Sequence, residues 1–327
     1  MTGFSLQRRI LMGFAIAASL CFGSSHAQTA TGKVVKVIAP IPPGSAMDQT
    51  ARLIARELGA KLSTPAIVEN RPGAGGTIGT RAVAIATPDG STLLLAGQGM
   101  ISIAPHMMNN LGFDPLKALV PISPVSIIPG LLVVPGNSPF NSLKDLIAAG
   151  KAKDSKLNFG SGGIGTGSHL MGEMFNARMG TNFQHVAYQG SNPMVLALVA
   201  DQVQVEFAGA VDTVGLVKAG KLKALASTSP TRHWQLPDVP TLAEAGLGDD
   251  WLPYWVALFA PAGTPQATVD TLRAAMVAIM KQPETAKALQ DFGMVQDTRT
   301  LEQFKPVIAG DSATAEKLIT RLGLKPQ

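Results

Sequence analysis

The sequence contains a single cysteine, Cys21, among 327 residues. One thiol cannot close a disulfide within the chain or build a zinc-thiolate site, which excludes disulfide-dense secreted folds and thiolate metal centres. Aromatic residues make up only 5% of the chain, and its 27 Lys and Arg residues are scattered without a basic run. The chain therefore lacks the basic surface expected of a nucleic-acid partner.

Long apolar runs are also missing after residue 27. An apolar stretch at residues 120–134 is interrupted by Pro121, Pro124 and Pro129. It does not reach the roughly 18 uninterrupted apolar residues that a membrane span needs. We therefore expect a mature chain that does not span a membrane.

The first 27 residues have the pattern of an export signal. Arg8 and Arg9 form a charged start, residues 10–23 form a short apolar segment, and Ala27 closes a group of small residues of the kind that a signal peptidase reads. We expect a signal peptide over residues 1–27 and a periplasmic mature chain. The paired arginines leave the general secretory and twin-arginine export routes both open.

Catalytic and nucleotide-binding motifs are absent as well. The sequence has no H-E-x-x-H zinc motif, no G-x-S-x-G elbow and no P-loop. Residues 160–165 spell G-x-G-x-x-G, but residues 178–189 hold no acid for a ribose. We expect no enzyme activity, metal or cofactor. The rival hypothesis is an exported serine hydrolase in which His169 activates Ser168.

The sequence does contain short apolar strands that alternate with helical patterns. Residues 33–39 are rich in β-branched side chains, and apolar residues then recur every three or four positions between Met47 and Leu62. The same alternation continues to residue 226. It predicts an α/β fold with doubly wound, parallel sheets. A chain of this length favours two domains.

A helical tail follows the alternating region. Thr264 before Pro265 is typical of an N-cap followed by proline at the first helical position. We expect the tail to pack on the first sheet. Two crossing segments would then join the domains as a hinge. The expected organisation is a signal peptide at 1–27, domain 1 at 28–128 plus 253–327, and domain 2 at 129–252.

Three loops share one arrangement, in which a strand ends, Gly and Ser residues follow and a helix begins. The first N–H groups of a helix are unpaired and carry the positive end of its dipole, so such loops can hold an anion. The alternative is that Ser45, Ser168 and Asn192 are only helix caps, with Asp48 completing a capping box. The three loops lie at residues 42–48, 160–168 and 188–193.

Five phrases of the sequence together resemble one known family. They are Glu69-Asn-Arg-Pro-Gly-Ala-Gly-Gly76, Pro88-Asp-Gly90, Ala219-Gly-Lys-Leu222, Leu236-Pro-Asp-Val-Pro-Thr241 and Phe259-Ala-Pro-Ala-Gly-Thr-Pro265. The chain resembles the Bug family, the extracytoplasmic receptors of tripartite tricarboxylate transporters. This resemblance covers essentially the whole mature chain.

The resemblance implies a type II periplasmic-binding-protein fold, in which two α/β domains close like a Venus flytrap on a small carboxylate. It also implies delivery of the ligand to membrane subunits of a tripartite tricarboxylate transporter, with a membrane sensor kinase as the alternative partner. The receptor would be a monomer. The ligand-binding residues implied by the resemblance are Pro43, Gly44, Ser45, Ala46, Met47, Asp48, Gln98, Ser161, Gly165, Thr166, Ser168, His169, Tyr188, Gly190, Ser191, Ala208 and Gly209.

Two positions depart from the family pattern. Gly44-Ser45 stands where the family commonly has Gly-Gly, which adds a hydroxyl to the first loop. Ala208-Gly209 stands where it often has Asp-Asn, and that Asp would suit an amino-bearing ligand. The ligand predicted from these departures is a carboxylate without an amine, and a bulky or aromatic dicarboxylate is one candidate. His106 and His233 are expected at the surface.

Overall fold

The computed structural model describes residues 34–108, 111–164, 166–248, 251, 254–321 and 323. Its strands are β1 (Val35–Ala39), β2 (Ala66–Asn70), β3 (Thr92–Gly97), β4 (Leu119–Ile128), β5 (Gly130–Pro135), β6 (Asn158–Ser161), β7 (Gln184–Ala187), β8 (Val205–Gly209), β9 (Leu222–Ser227), β10 (Tyr254–Pro261) and β11 (Val295–Gln296). Its α-helices are α1 (Ala46–Leu62), α2 (Thr77–Ala84), α3 (Ala104–Met107), α4 (Pro115–Ala118), α5 (Leu143–Gly150), α6 (Gly167–Met179), α7 (Ser191–Val199), α8 (Ala210–Lys218), α9 (Gln266–Met280), α10 (Pro283–Asp291) and α11 (Leu301–Arg321).

The signal peptide predicted over residues 1–27 lies outside the described residues and stays a prediction. Within the described part of the chain, no helix combines the length and apolar character that a membrane crossing requires. Most of the predicted strands and helices between residues 33 and 322 are confirmed, with their ends displaced by a few residues.

The strands form two mixed sheets. The first sheet has the order β11-β4-β10-β3-β1-β2, and the second has the order β7-β6-β8-β5-β9. The chain therefore passes from the first sheet to the second between β4 and β5 and returns between β9 and β10. This architecture confirms the predicted two-sheet α/β fold. The division of the chain into two closing domains stays a prediction.

The expectation of purely parallel sheets was wrong. β1, β2 and β3 are parallel, but β10 runs antiparallel to both β3 and β4. In the second sheet β5 runs antiparallel to β8 and β9. β5 and β10 are the strands that arrive from the other sheet. They enter where the parallel strands end, so they run in the opposite direction.

β4 is a strand that the prolines concealed. Pro121 and Pro124 both lie within it and pair with Phe259 and Ala257 of β10, beside the two register shifts of that pairing. On its other side β4 pairs with β11 only at Ser126 and Ile127. A proline is tolerated where its missing N–H faces no partner strand.

The helical tail packs on both sheets rather than on the first alone. Phe304 and Ile308 of α11 join the core around Trp255 and Phe259 of the first sheet. About two turns further along, α11 places other apolar side chains in the core of the second sheet. Those side chains are Ala315, Leu318 and Ile319.

The N-cap predicted at Thr264 was wrong. α9 begins at Gln266, with Pro265 at the cap position, and the Thr264 hydroxyl donates to the Pro261 carbonyl 2.8 Å away. A hydroxyl that turns back to the preceding turn cannot accept from the helix. Thr264 therefore stabilises the turn between β10 and α9.

Candidate functional site

A cavity of about 1190 Å³ is lined by segments from both sheets. The first residues of four helices, Ala46, Gly167, Ser191 and Ala210, all lie in its wall. The positive ends of four helix dipoles therefore point to one space. The wall also includes Ile41, Gln49, Gly162, Met194, Ile128 and Tyr254, together with residues 207–212, 233–235 and 290–294.

The predicted site residues fall into two groups. Ten of them line the cavity: Gly44, Ser45, Ala46, Met47, Thr166, Ser168, Gly190, Ser191, Ala208 and Gly209. The others lie elsewhere, Pro43 at the surface, Tyr188 half-buried, and Asp48, Gln98, Ser161 and His169 buried behind the wall. Gly165 lies outside the described residues. A ligand contact by any of them stays a prediction.

The first loop is shaped by Asp48 at the start of α1. The Asp48 N–H donates to the Ser45 hydroxyl (3.2 Å), so Ser45 caps α1, and the Asp48 carboxylate accepts from the N–H of Gly44 (2.9 Å) rather than from that of Ser45. Asn70 and Arg52 also donate to this carboxylate at 2.8 and 3.0 Å. Burial alone would raise the pKa of Asp48, but these donors hold it below its usual value. Asp48 thus holds the loop and leaves Ser45 in the cavity.

The second loop is capped by Thr166 rather than by Ser168. The Thr166 hydroxyl donates to the Gly163 carbonyl (2.7 Å) and accepts from the His169 N–H (3.4 Å). Ser168 lies inside the first turn of α6, where its hydroxyl accepts from the Gly162 N–H at 3.1 Å. The predicted Ser168 cap was therefore wrong, because Thr166 already occupies that position.

The histidine next to Ser168 faces the core. The His169 ring stacks on His185 with 3.9 Å between ring centroids, and the Ser161 hydroxyl lies 2.6 Å from His185 Nε2. Burial, together with the neighbouring His185, lowers the pKa of His169 to about 4. Ser161 and His169 thus support the second loop from behind.

The third loop is tied to the second. The Gly190 N–H donates to Gly162 and the Tyr188 N–H donates to Ser161, at 3.1 and 2.9 Å. α7 begins at Ser191 with Gly190 as its cap residue, at φ 99°. The predicted Asn192 cap was wrong, because Asn192 is already inside the helix.

Gln98 was placed in the predicted pocket but is buried among other residues. Its amide donates to the Asp311 carboxylate of α11 at 3.0 Å, and the Trp255 indole donates to the same oxygen at 2.7 Å. Gln98 therefore links β3 to the tail. His106, expected at the surface, is half-buried in α3 with Nε2 2.8 Å from the Ser312 hydroxyl.

Several residues of the cavity wall were not predicted from the sequence. The Tyr254 hydroxyl is buried without a hydrogen-bond partner among the described residues, and burial raises its pKa, so it stays protonated. His233 was expected at the surface but is buried, with its ring stacked on Trp234 at 4.0 Å. Asp212 in α8 adds a carboxylate to the wall. No local pattern marks these positions, because distant segments bury them.

Comparison with known proteins identifies the receptor family. A model described as the tripartite tricarboxylate transporter family receptor matches residues 50–324. The chain is 35% identical to a UPF0065 protein of Bordetella pertussis over the full length of both chains. This is a family of solute-binding receptors and not of enzymes, so the hydrolase hypothesis has no support.

Solved structures agree with the family match. The chain is similar to the periplasmic binding protein BugD, at 32% identity and TM-score 0.72, over 90% of this chain and 99% of BugD. It is similar to MatC from Rhodopseudomonas palustris with bound malate, at 30% identity and TM-score 0.72, over 88% of this chain and 98% of MatC. It is also similar to Rpa4515 of R. palustris with adipate, at 28% identity and TM-score 0.75, over 90% of this chain and 98% of Rpa4515. The chain belongs to the tripartite tricarboxylate transporter receptor family.

Proposed function

We propose that this chain is a periplasmic receptor that captures a small organic carboxylate in its cavity and delivers it to a tripartite tricarboxylate transporter. The observation that carries the proposal is the meeting of four helix N-termini in one cavity wall. Helix N-termini bind anions through unpaired N–H groups and the dipole. The family description names transporters, which favours this partner over a signalling kinase.

The cavity can bind an anion without an arginine. No arginine lies in the described part of its wall, but Ser45, Ser168 and Ser191 do. A hydrogen bond to a charged group contributes about 1.5 to 3 kcal/mol. Four or five such bonds would supply about 6 to 15 kcal/mol, against the roughly 8 kcal/mol of a micromolar dissociation constant, and any surplus would offset the cost of closure.

A dicarboxylate or a bulky or aromatic carboxylate is the proposed ligand class. The structures of MatC with malate and of Rpa4515 with adipate each contain a dicarboxylate, which supports the first choice. The cavity volume of about 1190 Å³ is large enough for a bulky or aromatic carboxylate. Domain 1 (28–128 plus 253–327) and domain 2 (129–252) would close on this ligand about the two crossing segments.

Thermal unfolding against a panel of carboxylates tests the proposal. The mature chain is unfolded and refolded to remove any co-purified ligand, and then mixed with mono-, di- and tricarboxylates and with their amides. A ligand at 100 times its dissociation constant adds about 2.7 kcal/mol, which raises the midpoint by several degrees. We expect a shift with at least one acid and none with its amide. Equal shifts with both, or none with any acid, would refute the proposal.

A further inference from the structure

Three helices of this chain carry an aspartate at the third helical position. They are Asp48 in α1, Asp145 in α5 and Asp212 in α8. Acids in the first turn of a helix usually accept from free backbone N–H groups there. The three positions therefore allow a direct comparison of one structural role.

Asp48 and Asp145 have the same local hydrogen bonds. Each N–H donates to the preceding cap serine at 3.2 Å. Each carboxylate accepts from the N–H of the residue before that serine, Gly44 at 2.9 Å and Asn141 at 3.4 Å. Asp48 and Asp145 therefore both stabilise the first turn of their own helix.

Asp212 makes none of these bonds. Its cap residue is Gly209, which offers no side-chain oxygen, and the residue before it, Ala208, belongs to β8 and pairs with Leu131. Among the described residues, no donor or cation bonds to the Asp212 carboxylate. Burial raises the pKa of this acid, whereas the donors around Asp48 lower the pKa of that one.

The Asp212 carboxylate lies in the cavity wall beside the start of α8. A Cβ at Gly209 would be 3.3 Å from Asp212 Oδ2, so the carboxylate folds back over Gly209. On the next residue, Val211 packs close to Gly293 of the turn before β11, where a Cβ would be 3.2 Å from it. Asp212 is half-buried, and both it and Gly209 line the cavity.

We propose that Asp212 is a specificity-determining residue that accepts a hydrogen bond from a hydroxyl or ammonium group of the ligand. An acceptor carboxylate in a wall of anion-binding helix starts repels a plain carboxylate chain and attracts a donor group on that chain. The preferred ligands are therefore hydroxy- or amino-substituted carboxylates. This is the opposite of the amine-free ligand predicted from Ala208, and it rests on the proposed carboxylate function.

Titration calorimetry with two matched series of acids tests this role. The first series is succinate, malate and aspartate, and the second is 3-phenylpropanoate, 3-phenyllactate and phenylalanine. Within each series only a hydrogen, a hydroxyl or an ammonium group differs. The proteins are the wild type, Asp212→Asn, Asp212→Ser and the control Asp145→Asn. Asp145 has the same position in α5 as Asp212 has in α8, but it lies outside the cavity wall.

We expect the wild type to bind a substituted acid of one series at least tenfold tighter than the parent acid. Either Asp212 variant should reduce this preference at least fivefold and leave binding of the parent acid unchanged or tighter. Asp145→Asn should keep the preference. The ratio of the dissociation constants of the hydroxy and amino acids in a series identifies which donor group Asp212 binds.

The outcomes separate this inference from the proposed function. If the parent acids bind best and the Asp212 variants weaken all three acids equally, the role of Asp212 is wrong and the receptor function stands. If none of the four folded proteins binds any acid of either series, both proposals fail for these chemistries. Circular dichroism melts establish that each variant is folded.

Discussion

Glu206 is fully buried in β8, and neither of its carboxyl oxygens has a hydrogen-bond partner among the described residues. A Cβ at Gly160 of the neighbouring strand would lie 2.7 Å from Glu206 Oε1, so the glycine leaves room for the acid. Burial raises the pKa of Glu206 to about 9, and the carboxyl group is therefore protonated at neutral pH. An unpaired charge at this depth would be far more costly than the neutral acid.

Glu206→Gln should remove a pH dependence of stability. The folded pKa lies above the unfolded value, so the contribution of Glu206 is fully present below pH 4.5 and is lost as the pH rises toward 9. The loss is roughly 3 kcal/mol between about pH 4.5 and 7. Gln mimics the protonated acid, so we expect equal stabilities at about pH 4.5 and a more stable variant at about pH 8, by urea unfolding. The exposed Glu316→Gln is the control. A constant difference between Glu206→Gln and the wild type at both pH values would contradict this assignment.

Residues whose role is set by their own segment could be predicted from the sequence. Ser45 follows a strand and precedes a helix, so both its capping role and its place in an anion loop followed from local order. Tyr254 and Asp212 could not be found in this way, because segments far away in the sequence bury them against the cavity. His233 was misjudged for the same reason, since a polar neighbourhood in sequence does not reveal burial in space.

At the scale of elements, the first loop depends on how α1 begins. The Asp48 carboxylate joins the loop at Gly44 to β2 through Asn70 and to the next turn of α1 through Arg52. α5 begins with the same two cap bonds at Ser142 and Asp145 but lies outside the cavity wall. Comparison of α1 with α5 therefore distinguishes the contribution of a helix cap to stability from its effect on ligand binding.

Asp48→Ala should destabilise the protein by about 2 kcal/mol, because three donors lose a buried acceptor. Asp145→Ala removes only the exposed bond that its carboxylate accepts from the Asn141 N–H (3.4 Å) and should cost less than about 1 kcal/mol. Ligand affinity should fall several-fold in Asp48→Ala and stay unchanged in Asp145→Ala. Urea unfolding and calorimetry with the carboxylate found by the thermal panel measure both effects. Equal losses of affinity in the two variants would mean that the first loop does not depend on Asp48.

Elements formed by local pattern were predicted more reliably than their directions. β1 was predicted at residues 33–39 and is found at Val35–Ala39, because a local run of β-branched residues defines it. The direction of β10 depends on the connection by which the chain returns from the second sheet. The spacing of apolar residues in the sequence does not predict that connection. β4 was missed because its prolines exclude a central strand, whereas its partner β11 is too short to face them.

At the scale of the whole molecule, α11 belongs to both cores. Its first half packs beside Trp255 of the first sheet, and Ala315, Leu318 and Ile319 of its second half belong to the core of the second. The Asp311 carboxylate, midway along the helix, accepts from both Gln98 and Trp255. Domains that share only linkers tend to move and unfold separately, whereas a shared buried helix couples them.

This sharing predicts one cooperative unfolding transition. Phe304→Ala cuts the contact of α11 with the first sheet and Leu318→Ala cuts the contact with the second, and each should cost about 2 to 5 kcal/mol. Because both halves lie on one helix, each variant should lower the midpoint of the same single transition in scanning calorimetry, with equal calorimetric and van't Hoff enthalpies. The exposed Lys317→Ala should leave it in place. Two resolved transitions, of which Leu318→Ala moves only one, would show that the sheets unfold independently and that α11 does not couple them.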